Sequence, residues 1–450
     1  MALALLAGCQ GPPPVDAPGD AAAASGIADA IIVQTDEDAL DVLPAAGRTL
    51  TPQQAVRLAI TRDARIQGAL VGVRLAQVEA KQARLLPNPI LNVSWRLPEG
   101  GTGPTVFETT LTGDLMAVLT KPGQISAADS RLRAAAATAV TTVLDVIAEV
   151  QESYSSAQSI ESEVALIESR RVLIQRQRDV AEARFKAGQG LMLDTLTLDA
   201  QRVALTVELS QRRLERTEQR LTLARLIGEP SGAADWQLVP WQAPAPVKAD
   251  EAAWLKAALA NRPEIRSHVW ELAALGDEVA LSRFAAFEGS DVGPHGERDS
   301  SWVVGPDLTT SVPIFDFGQQ HKAKAEALRL KARYELAQLG REVIEQVRRA
   351  YASYAASRAA LDQAQNELLP LQEKRRDQAE LAYRSGDADL ATLLLAESDL
   401  QETRERLVEL QEKVTVAMLK LERAVGGAGI ARIVEAPALS PTNVPATRPD

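Results

Sequence analysis

The chain has 450 residues, a hydrophobic fraction of 46%, an aromatic fraction of 4% and a formal net charge of −11. This abundance of small apolar side chains suits closely packed helices better than a thick aromatic core. The acidic charge argues against nucleic acid as a partner, because phosphate binding needs a basic face and no segment concentrates Lys or Arg. The chain also has no uninterrupted run of about 18 apolar residues. We therefore expect no transmembrane helix, and strands would have to cross any membrane.

The single cysteine, Cys9, follows the short apolar segment Leu6-Ala7-Gly8. One cysteine excludes intrachain disulfides and cysteine-based metal cages. Its context is typical of the site where a bacterial signal peptide is cut and the new N-terminal cysteine is acylated. We therefore predict a signal-peptide remnant at 1–8 and a lipidated tether at 9–49. An isolated cysteine without this role is the alternative, since no basic residue precedes Cys9; on the lipoprotein reading, the true start lies upstream of Met1.

A helix is predicted to begin after Thr51, which can act as its N-cap. Gln54 stands where it can return a hydrogen bond to the cap and complete a capping box. The helical pattern passes a break near Asp63 and ends at Leu86, where Pro87-Asn88-Pro89 follows.

The period then changes to two, which predicts strands. Apolar residues alternate with polar ones from Ile90 to Leu97 and from Phe107 to Leu119,. One apolar face over about ten residues is typical of a membrane barrel strand. A half-buried sheet in a soluble domain fits these two segments equally well. Lys121-Pro122-Gly123 is the predicted turn into the next element.

A very long helix is predicted from Gln124 to Ala187, because its apolar residues recur at intervals of three and four,. At about 1.5 Å per residue it would reach about 96 Å, well beyond an ordinary domain. A returning helix is predicted for Leu191 to Ile227 after a glycine turn. Its predicted stripe, again at intervals of three and four, is Leu193, Leu196, Ala200, Val203, Val207, Ser210, Leu214, Thr217, Leu221 and Ala224. A turn this short requires the two helices to lie antiparallel, as a hairpin.

The second half of the chain repeats this plan. Residues 258–265 resemble residues 59–66. A strand is predicted from Ser301 to Ile314, and a poorly marked partner is placed within Phe287–Gly293. A second long helix, Gln319 to Ser385, is followed by a returning helix, Leu390 to Val425. The predicted stripe of the returning helix is Leu393, Ala396, Leu400, Thr403, Leu407, Leu410, Val414, Ala417 and Leu421. The predicted domains are accordingly a first repeat at 50–228, a linker at 229–250, a second repeat at 251–427 and a C-terminal tail at 428–450.

From Leu50 to Gly427, the chain resembles the TolC family of outer-membrane efflux proteins. The motifs that carry the resemblance are Leu50-Thr51-Pro52-Gln53-Gln54-Ala55, Pro87-Asn88-Pro89, Val312-Pro313-Ile314-Phe315-Asp316-Phe317-Gly318-Gln319, Ala183-Arg184-Phe185-Lys186-Ala187-Gly188 and Ala382-Tyr383-Arg384-Ser385-Gly386. The resemblance implies a mainly α fold with a small β part. Duplicated helical hairpins would form a periplasmic α-barrel, and four strands per chain would form a transmembrane β-barrel in a homotrimer. Four strands are too few to close a barrel alone, so oligomerisation is expected.

The resemblance also implies roles for the hairpin tips. Arg184, Gly188, Arg384 and Gly386 occupy the positions at which the family meets a periplasmic adaptor protein, which connects the channel to an inner-membrane pump. The glycines have a purely structural alternative, because a helix reversal favours residues that tolerate positive φ.

Two acidic residues stand at the second tip, where the family narrows its periplasmic entrance. Repeated in a trimer, Asp387 and Asp389 would form a ring of carboxylates that favours cations and whose mutual repulsion eases opening. Asp389 could instead simply cap the helix that begins at Leu390. The two roles are compatible.

Enzymatic chemistry is not indicated. The three histidines, His268, His295 and His321, lack ligand spacing, and no Gly-rich phosphate loop follows a strand,. We expect no catalytic residue, no cofactor and no metal site.

The predicted function is a passive outer-membrane exit channel of a tripartite efflux or type I secretion system, anchored to the outer membrane by lipid and extending into the periplasm. A coiled-coil scaffold lipoprotein without a pore is the alternative. An adaptor is disfavoured because adaptors carry one hairpin, whereas this chain carries two. Substrate, pump and adaptor identity stay open.

Overall fold

In the computed structural model of the protein, residues 11–26, 49–97, 105–298 and 301–435 are described. The helices are α1 (Ala17–Ser25), α2 (Pro52–Arg62), α3 (Ala64–Gln82), α4 (Leu115–Lys186), α5 (Met192–Leu226), α6 (Glu251–Asn261), α7 (Pro263–Leu281), α8 (Gln319–Gln363), α9 (Leu369–Ser385), α10 (Leu390–Val425) and α11 (Ala428–Glu435). The strands are β1 (Thr49–Leu50), β2 (Ile90–Arg96), β3 (Val106–Asp114), β4 (Gln237–Leu238), β5 (Asp291–Arg298) and β6 (Trp302–Thr309). Cys9 lies outside the described residues.

The chain forms two compact units. The first comprises Met1–Asp20, Gly68–Thr141 and Pro263–Glu342, and the second comprises Ala21–Gln67, Thr142–Arg262 and Val343–Asp450. Each unit contains segments from both halves of the sequence. The predicted repeat boundaries therefore describe the sequence, whereas the compact units combine the two repeats.

The predicted start of α2 is confirmed. Thr51 and Gln54 form the capping box, in which the Thr51 hydroxyl accepts from the Gln54 amide and the Gln54 side chain accepts from the Thr51 amide. The expected break occurs at Asp63, which ends α2 in an extended conformation. The following helix, α3, ends at Gln82 rather than Leu86.

The predicted boundary between the second strand and the first long helix was wrong. β3 ends at Asp114, and α4 begins at Leu115, so the expected turn around Pro122 lies inside the helix. The reason is a cap that the pattern did not reveal: the Asp114 carboxylate accepts from the Ala117 amide at 2.8 Å,. Pro122 removes one backbone donor, and the helix continues through it,.

The second long helix keeps its predicted ends but is interrupted. A π-helical stretch, Ala364–Leu368, separates α8 from α9. Here the Leu369 amide donates to the Ala364 carbonyl, five residues back. Pro370, which has no amide hydrogen, follows directly, and loss of its backbone bond is the kind of cause that distorts a helix at this point.

The four-stranded antiparallel sheet has the order β2-β3-β5-β6. Its third strand, β5, was predicted within Phe287–Gly293 but spans Asp291–Arg298. The strand contains Gly293, Pro294 and Gly296, which weaken any strand pattern, so its pairing with two neighbours overrides its local propensity. Gly293 also has a steric role, because a Cβ there would lie 1.8 Å from the Leu111 carbonyl oxygen.

The returning helices differ in how their predicted stripes are covered. The α10 stripe is buried, as expected: Leu393, Ala396, Leu400, Thr403, Leu407, Leu410, Val414, Ala417 and Leu421. In α5 the predicted stripe is more than half exposed at Leu193, Leu196, Val203, Val207, Leu214 and Leu221. A second set, Leu198, Leu205 and Leu209, packs into the hairpin core instead. Helix α5 thus has two apolar faces, one of which is uncovered in the single chain.

Two further expectations can be compared with the structure. Among the described residues, one helix, Leu115–Lys186, contains a stretch that would suffice by length and composition for a membrane span, and 56% of that stretch is buried within the protein. This criterion averages hydropathy over interruptions, whereas the sequence prediction counted consecutive apolar residues. The absence of a transmembrane helix therefore stays a prediction. The linker and tail also contain structure: β4 pairs in parallel with β1, and α11 begins at Ala428.

Candidate functional site

The sheet has one apolar face, and its residues are exposed. The register aligns Val93 with Thr109, Gly296 and Val304 in one row across all four strands. The apolar residues of this face are exposed by between 43% and 72%: Leu91, Val93, Trp95, Leu111, Val292, Trp302, Val304 and Leu308. A continuous exposed apolar surface of this kind marks a contact with another protein or with lipid.

The opposite face of the sheet is polar. Arg96 donates to Glu108 at 2.9 Å on neighbouring strands. Thr110 Oγ1 and His295 Nδ1 lie 2.9 Å apart in the next pair of strands. His295 therefore forms a cross-strand hydrogen bond in this sheet. The alternation predicted from the sequence, apolar on one side and polar on the other, is present in the structure.

The sheet has two edge strands, β2 and β6. Within the described ranges, β2 and β6 each pair with one neighbouring strand, so each leaves one edge unpaired. An exposed edge presents a row of backbone donors and acceptors that can pair with another chain.

The two hairpin tips use the same turn. At the first tip, the Gln189 amide donates to the Arg184 carbonyl at 2.8 Å, and Gly188 has a φ of +70°. At the second tip, the Asp387 amide donates to the Ala382 carbonyl at 2.8 Å, and Gly386 has a φ of +87°. These six-residue reversals satisfy carbonyls at the end of each helix and need one residue in the left-handed conformation. The structural role expected for both glycines is therefore present.

The two predicted tip arginines, Arg184 and Arg384, do not occupy equivalent positions. Counted from the glycines, Arg384 corresponds to Lys186. Lys186 pairs with Glu182 at 2.7 Å, and Arg384 pairs with Glu380 at 2.6 Å, each across one helical turn. Both cationic side chains are more than 70% exposed. The sequence reasoning missed Lys186, although alignment on the two glycines would have identified it.

Arg184 joins the two hairpins instead. Its guanidinium lies 4.7 Å from the centroid of the Tyr383 ring, and it donates to the Tyr383 carbonyl at 3.3 Å. An arginine over an aromatic face is held by the ring quadrupole as well as by packing. Arg184 therefore connects the tip of α4 to the tip of α9.

The two acidic tip residues have different surroundings. Asp389 caps α10, because its carboxylate accepts from the Thr392 amide at 2.9 Å and from the Thr392 hydroxyl at 2.6 Å. These hydrogen bonds hold the pKa of Asp389 below its usual value,. Asp387 accepts from the Ser385 hydroxyl at 2.6 Å. Both aspartates are exposed.

A carboxylate-rich cavity lies between α4, α5 and α10. Its volume is about 330 Å³, and its charged lining residues are Glu163, Glu208, Arg212, Glu402, Glu405, Arg406 and Glu409. Burial raises the pKa of both Glu163 and Glu405, and neighbouring carboxylates add to this effect. No group of acidic, histidine or cysteine side chains in the described part of the chain could hold a metal ion. Acidic and basic side chains together line this cavity.

Solved structures of other proteins share this fold. The fold is that of outer-membrane channels. The outer-membrane channel OprN covers 89% of this chain and 98% of its own, with 20% identity and a TM-score of 0.71. VceC of Vibrio cholerae covers 84% and 96%, with 16% identity and a TM-score of 0.70. The MtrE channel of Neisseria gonorrhoeae covers 93% and 98%, with 16% identity and a TM-score of 0.67.

Part of the sequence matches a known family. Residues 254–427 match the family described as outer membrane efflux protein. No curated protein matches the chain by sequence. The predicted resemblance is confirmed by the family match, the fold class by the solved structures, and together they support the predicted outer-membrane efflux channel. The family and these relatives are channels rather than enzymes.

Proposed function

We propose that the chain is the passive exit channel of a tripartite efflux or type I secretion system, spanning the outer membrane and reaching into the periplasm. The observation that carries this proposal is the sheet with an exposed apolar face, whose two outer strands each keep one edge unpaired among the residues that the structure describes. A lipid-exposed edge cannot persist in a bilayer, so the barrel must be closed by other copies of the chain. Three copies would contribute twelve strands, enough to surround a pore.

A homotrimer is also supported by α5. The uncovered stripe that includes Leu196, Val203 and Leu214 has the spacing of a helical seam,. In a closed α-barrel, a neighbouring copy would cover it. The test is the mass of the protein extracted in detergent: a trimer supports the proposal, and a monomer at all concentrations contradicts it.

The hairpin tips are the proposed contact for a periplasmic adaptor. Arg184, Gly188, Arg384 and Gly386 keep the roles that the family resemblance implies, and Lys186 joins them as the exposed cation of the first tip. The transport energy would come from an inner-membrane pump, and we assign no catalytic step to this chain. Lys186→Glu with Arg384→Glu should weaken binding of the cognate adaptor, whereas unchanged binding would remove these two cations from the contact.

Asp387 and Asp389 are the proposed periplasmic gate. Their carboxylates would repeat around the three-fold axis and favour cations. The double variant Asp387→Asn, Asp389→Asn removes the charges, while Asn still caps a helix. We expect lower cation selectivity in single-channel recordings. An unchanged reversal potential would leave Asp389 with its capping role alone.

Cys9 is the proposed site of lipid attachment to the outer membrane. The support is the segment Leu6-Ala7-Gly8 before it,. Intact mass measurement of the protein from membranes should show a cleaved, acylated cysteine, and Cys9→Ser should abolish the added mass. An unmodified Cys9 would contradict lipidation without affecting the channel proposal.

The scaffold without a pore is the competing function. The helical hairpins alone would fit it, but the exposed apolar sheet face would serve no purpose in a filament.

A further inference from the structure

Two buried tyrosines, Tyr154 of α4 and Tyr354 of α8, bind the segment that joins the two repeats. They are 2% and 5% exposed. The hydroxyl of Tyr154 accepts from the Val239 amide at 3.1 Å, and that of Tyr354 accepts from the Val247 amide at 3.3 Å. Residues 239–247, the strap, are all described by the structure and form neither helix nor strand. Contacts with the two helical hairpins therefore hold the strap in place.

The first end of the strap is held tightly by the first hairpin, which consists of α4 and α5. Gln158 donates to the Val239 carbonyl at 2.7 Å, beside the amide that Tyr154 binds. Just before the strap, Arg220 of α5 donates to the Trp236 carbonyl at 2.6 Å. Trp236 is itself buried. Hydrogen bonds from a charged guanidinium are stronger than those between neutral groups, so this end is well anchored.

The other end of the strap is fixed by α11 rather than by a hairpin. The Glu435 carboxylate accepts from the Lys248 amide at 2.8 Å and from the Ala249 amide at 3.1 Å. Asp250 then caps α6 and accepts from the Ala253 amide at 3.0 Å. These carboxylate bonds are also charge-assisted. The strap is therefore anchored at both ends by groups outside the second hairpin, which consists of α8, α9 and α10.

The middle of the strap contacts the second hairpin mainly through long hydrogen bonds. Tyr354 donates to the Ala245 carbonyl at 3.2 Å, and Arg358 donates to the Pro244 carbonyl at 3.4 Å. The bond from the Val247 amide to Tyr354 has a similar length. Such distances lie at or beyond the long end of the range for protein hydrogen bonds. These bonds are therefore weaker than those at the first end of the strap.

The strap also packs on the break in the second hairpin. Trp241 and Val247 lie against an apolar cluster that includes Leu361 and Ala364. Ala364 is the first residue of the π-helical stretch between α8 and α9. The Trp241 indole donates to the hydroxyl of Thr415 on α10 at 2.9 Å. A π-helical stretch is a place where a helix can bend, and such stretches are frequent at functional sites.

We propose that the strap is a latch on the second hairpin. When its bonds to Tyr354, Arg358 and Thr415 break, α9 can bend at the π-helical stretch and move the tip of this hairpin. The second hairpin is the part that yields, because the strap is anchored elsewhere at both ends and most of its bonds to this hairpin are long. The inference rests on the proposed channel, in which that tip is the gate. A strap that never releases is the alternative, and it would only stabilise the fold.

The test compares the removal of two hydroxyl groups in single-channel recordings of the full-length protein. Tyr354→Phe removes bonds between the strap and the second hairpin. Tyr154→Phe is the matched control, because Gln158 and Arg220 still hold the first end. From the net contribution of one hydrogen bond, we expect Tyr354→Phe to raise the rate of transitions between current levels by about two- to tenfold. Tyr154→Phe should leave this rate unchanged, and equal rates in the two variants would overturn the latch.

A covalent link gives a second reading if the tyrosine variant does not assemble. Trp241→Cys and Thr415→Cys, in a Cys9→Ser background, are joined by a short bifunctional maleimide. The link should reduce transitions below the rate of the Cys9→Ser protein. The same reagent on Gln158→Cys with Val239→Cys, at the anchored end, should not change them. Transitions that persist after linking the strap to α10 would contradict the latch.

The recordings also separate this inference from the proposed function. A protein without substitutions that never carries current would refute the channel itself. A protein that conducts, but whose transitions respond neither to Tyr354→Phe nor to the link between the strap and α10, would refute the latch alone.

Discussion

The close approach of β5 to β3 gives a sharp prediction. A Cβ at Gly293 would lie 1.8 Å from the Leu111 carbonyl oxygen and 2.8 Å from its carbon. Because both atoms belong to the backbone, relief requires the strands to separate. Forcing atoms into a packed site typically costs about 1–3 kcal/mol, and loss of ladder hydrogen bonds adds to this. We expect Gly293→Ala to destabilise the folded protein by at least about 2 kcal/mol.

A matched control exists on the adjacent strand. Gly305 of β6 is also a strand glycine, but a Cβ there would meet nothing within 4 Å. Gly305→Ala should be neutral or slightly stabilising, because alanine loses less backbone entropy on folding. Thermal unfolding of both purified variants in detergent, together with their yield in the outer membrane, measures the difference. Equal stability of the two variants would refute the steric account of β5.

Three further predictions concern single side chains of the second unit. Burial raises the pKa of Glu422 to about 7 in the folded protein, above its value in the unfolded chain. Stability should therefore fall as the pH rises from about 4.5 to 7. Glu422→Gln should stabilise the chain at pH 8 by at most about 3 kcal/mol, with no gain at pH 4. Asp389→Ala should speed amide exchange in the first turn of α10, while Asp389→Asn should not; equal exchange would contradict the cap. Arg184→Ala should cost about 0.5–1 kcal/mol in thermal unfolding. This cost should be smaller in a Tyr383→Leu background, which removes the ring but keeps the carbonyl that Arg184 also contacts; an unchanged cost would contradict the stacking.

Local chemistry explains which elements could be predicted. The second hairpin was predicted with the correct ends for α10, because Asp389 caps its start and Gly426, with a φ of +105°, ends it. The tip glycines were identified for the same reason. Each of these signals lies within a few residues of the feature that it specifies.

Features set by distant partners could not be predicted. β5 contains residues that disfavour strands, and it forms because β3 and β6 supply pairing on both sides. The start of α4 depends on Asp114, which the alternating pattern assigned to the interior of a strand. The choice between the two apolar faces of α5 depends on which face neighbouring helices cover. Periodicity shows that such a face exists, but it does not show its partner.

The candidate site divides in the same way. The positions of Arg184, Arg384, Asp387 and Asp389 at the hairpin ends followed from the sequence. That Arg184 stacks on Tyr383 did not, because the two residues are 199 positions apart. The pairing of Lys186 with Glu182 was available from helical spacing and was overlooked.

The most direct test of the central claim is planar-bilayer conductance of the full-length protein purified from membranes. The proposed function predicts discrete, uniform current steps from particles with the mass of a trimer. A water-soluble elongated species that never produces current would contradict it and would favour the scaffold.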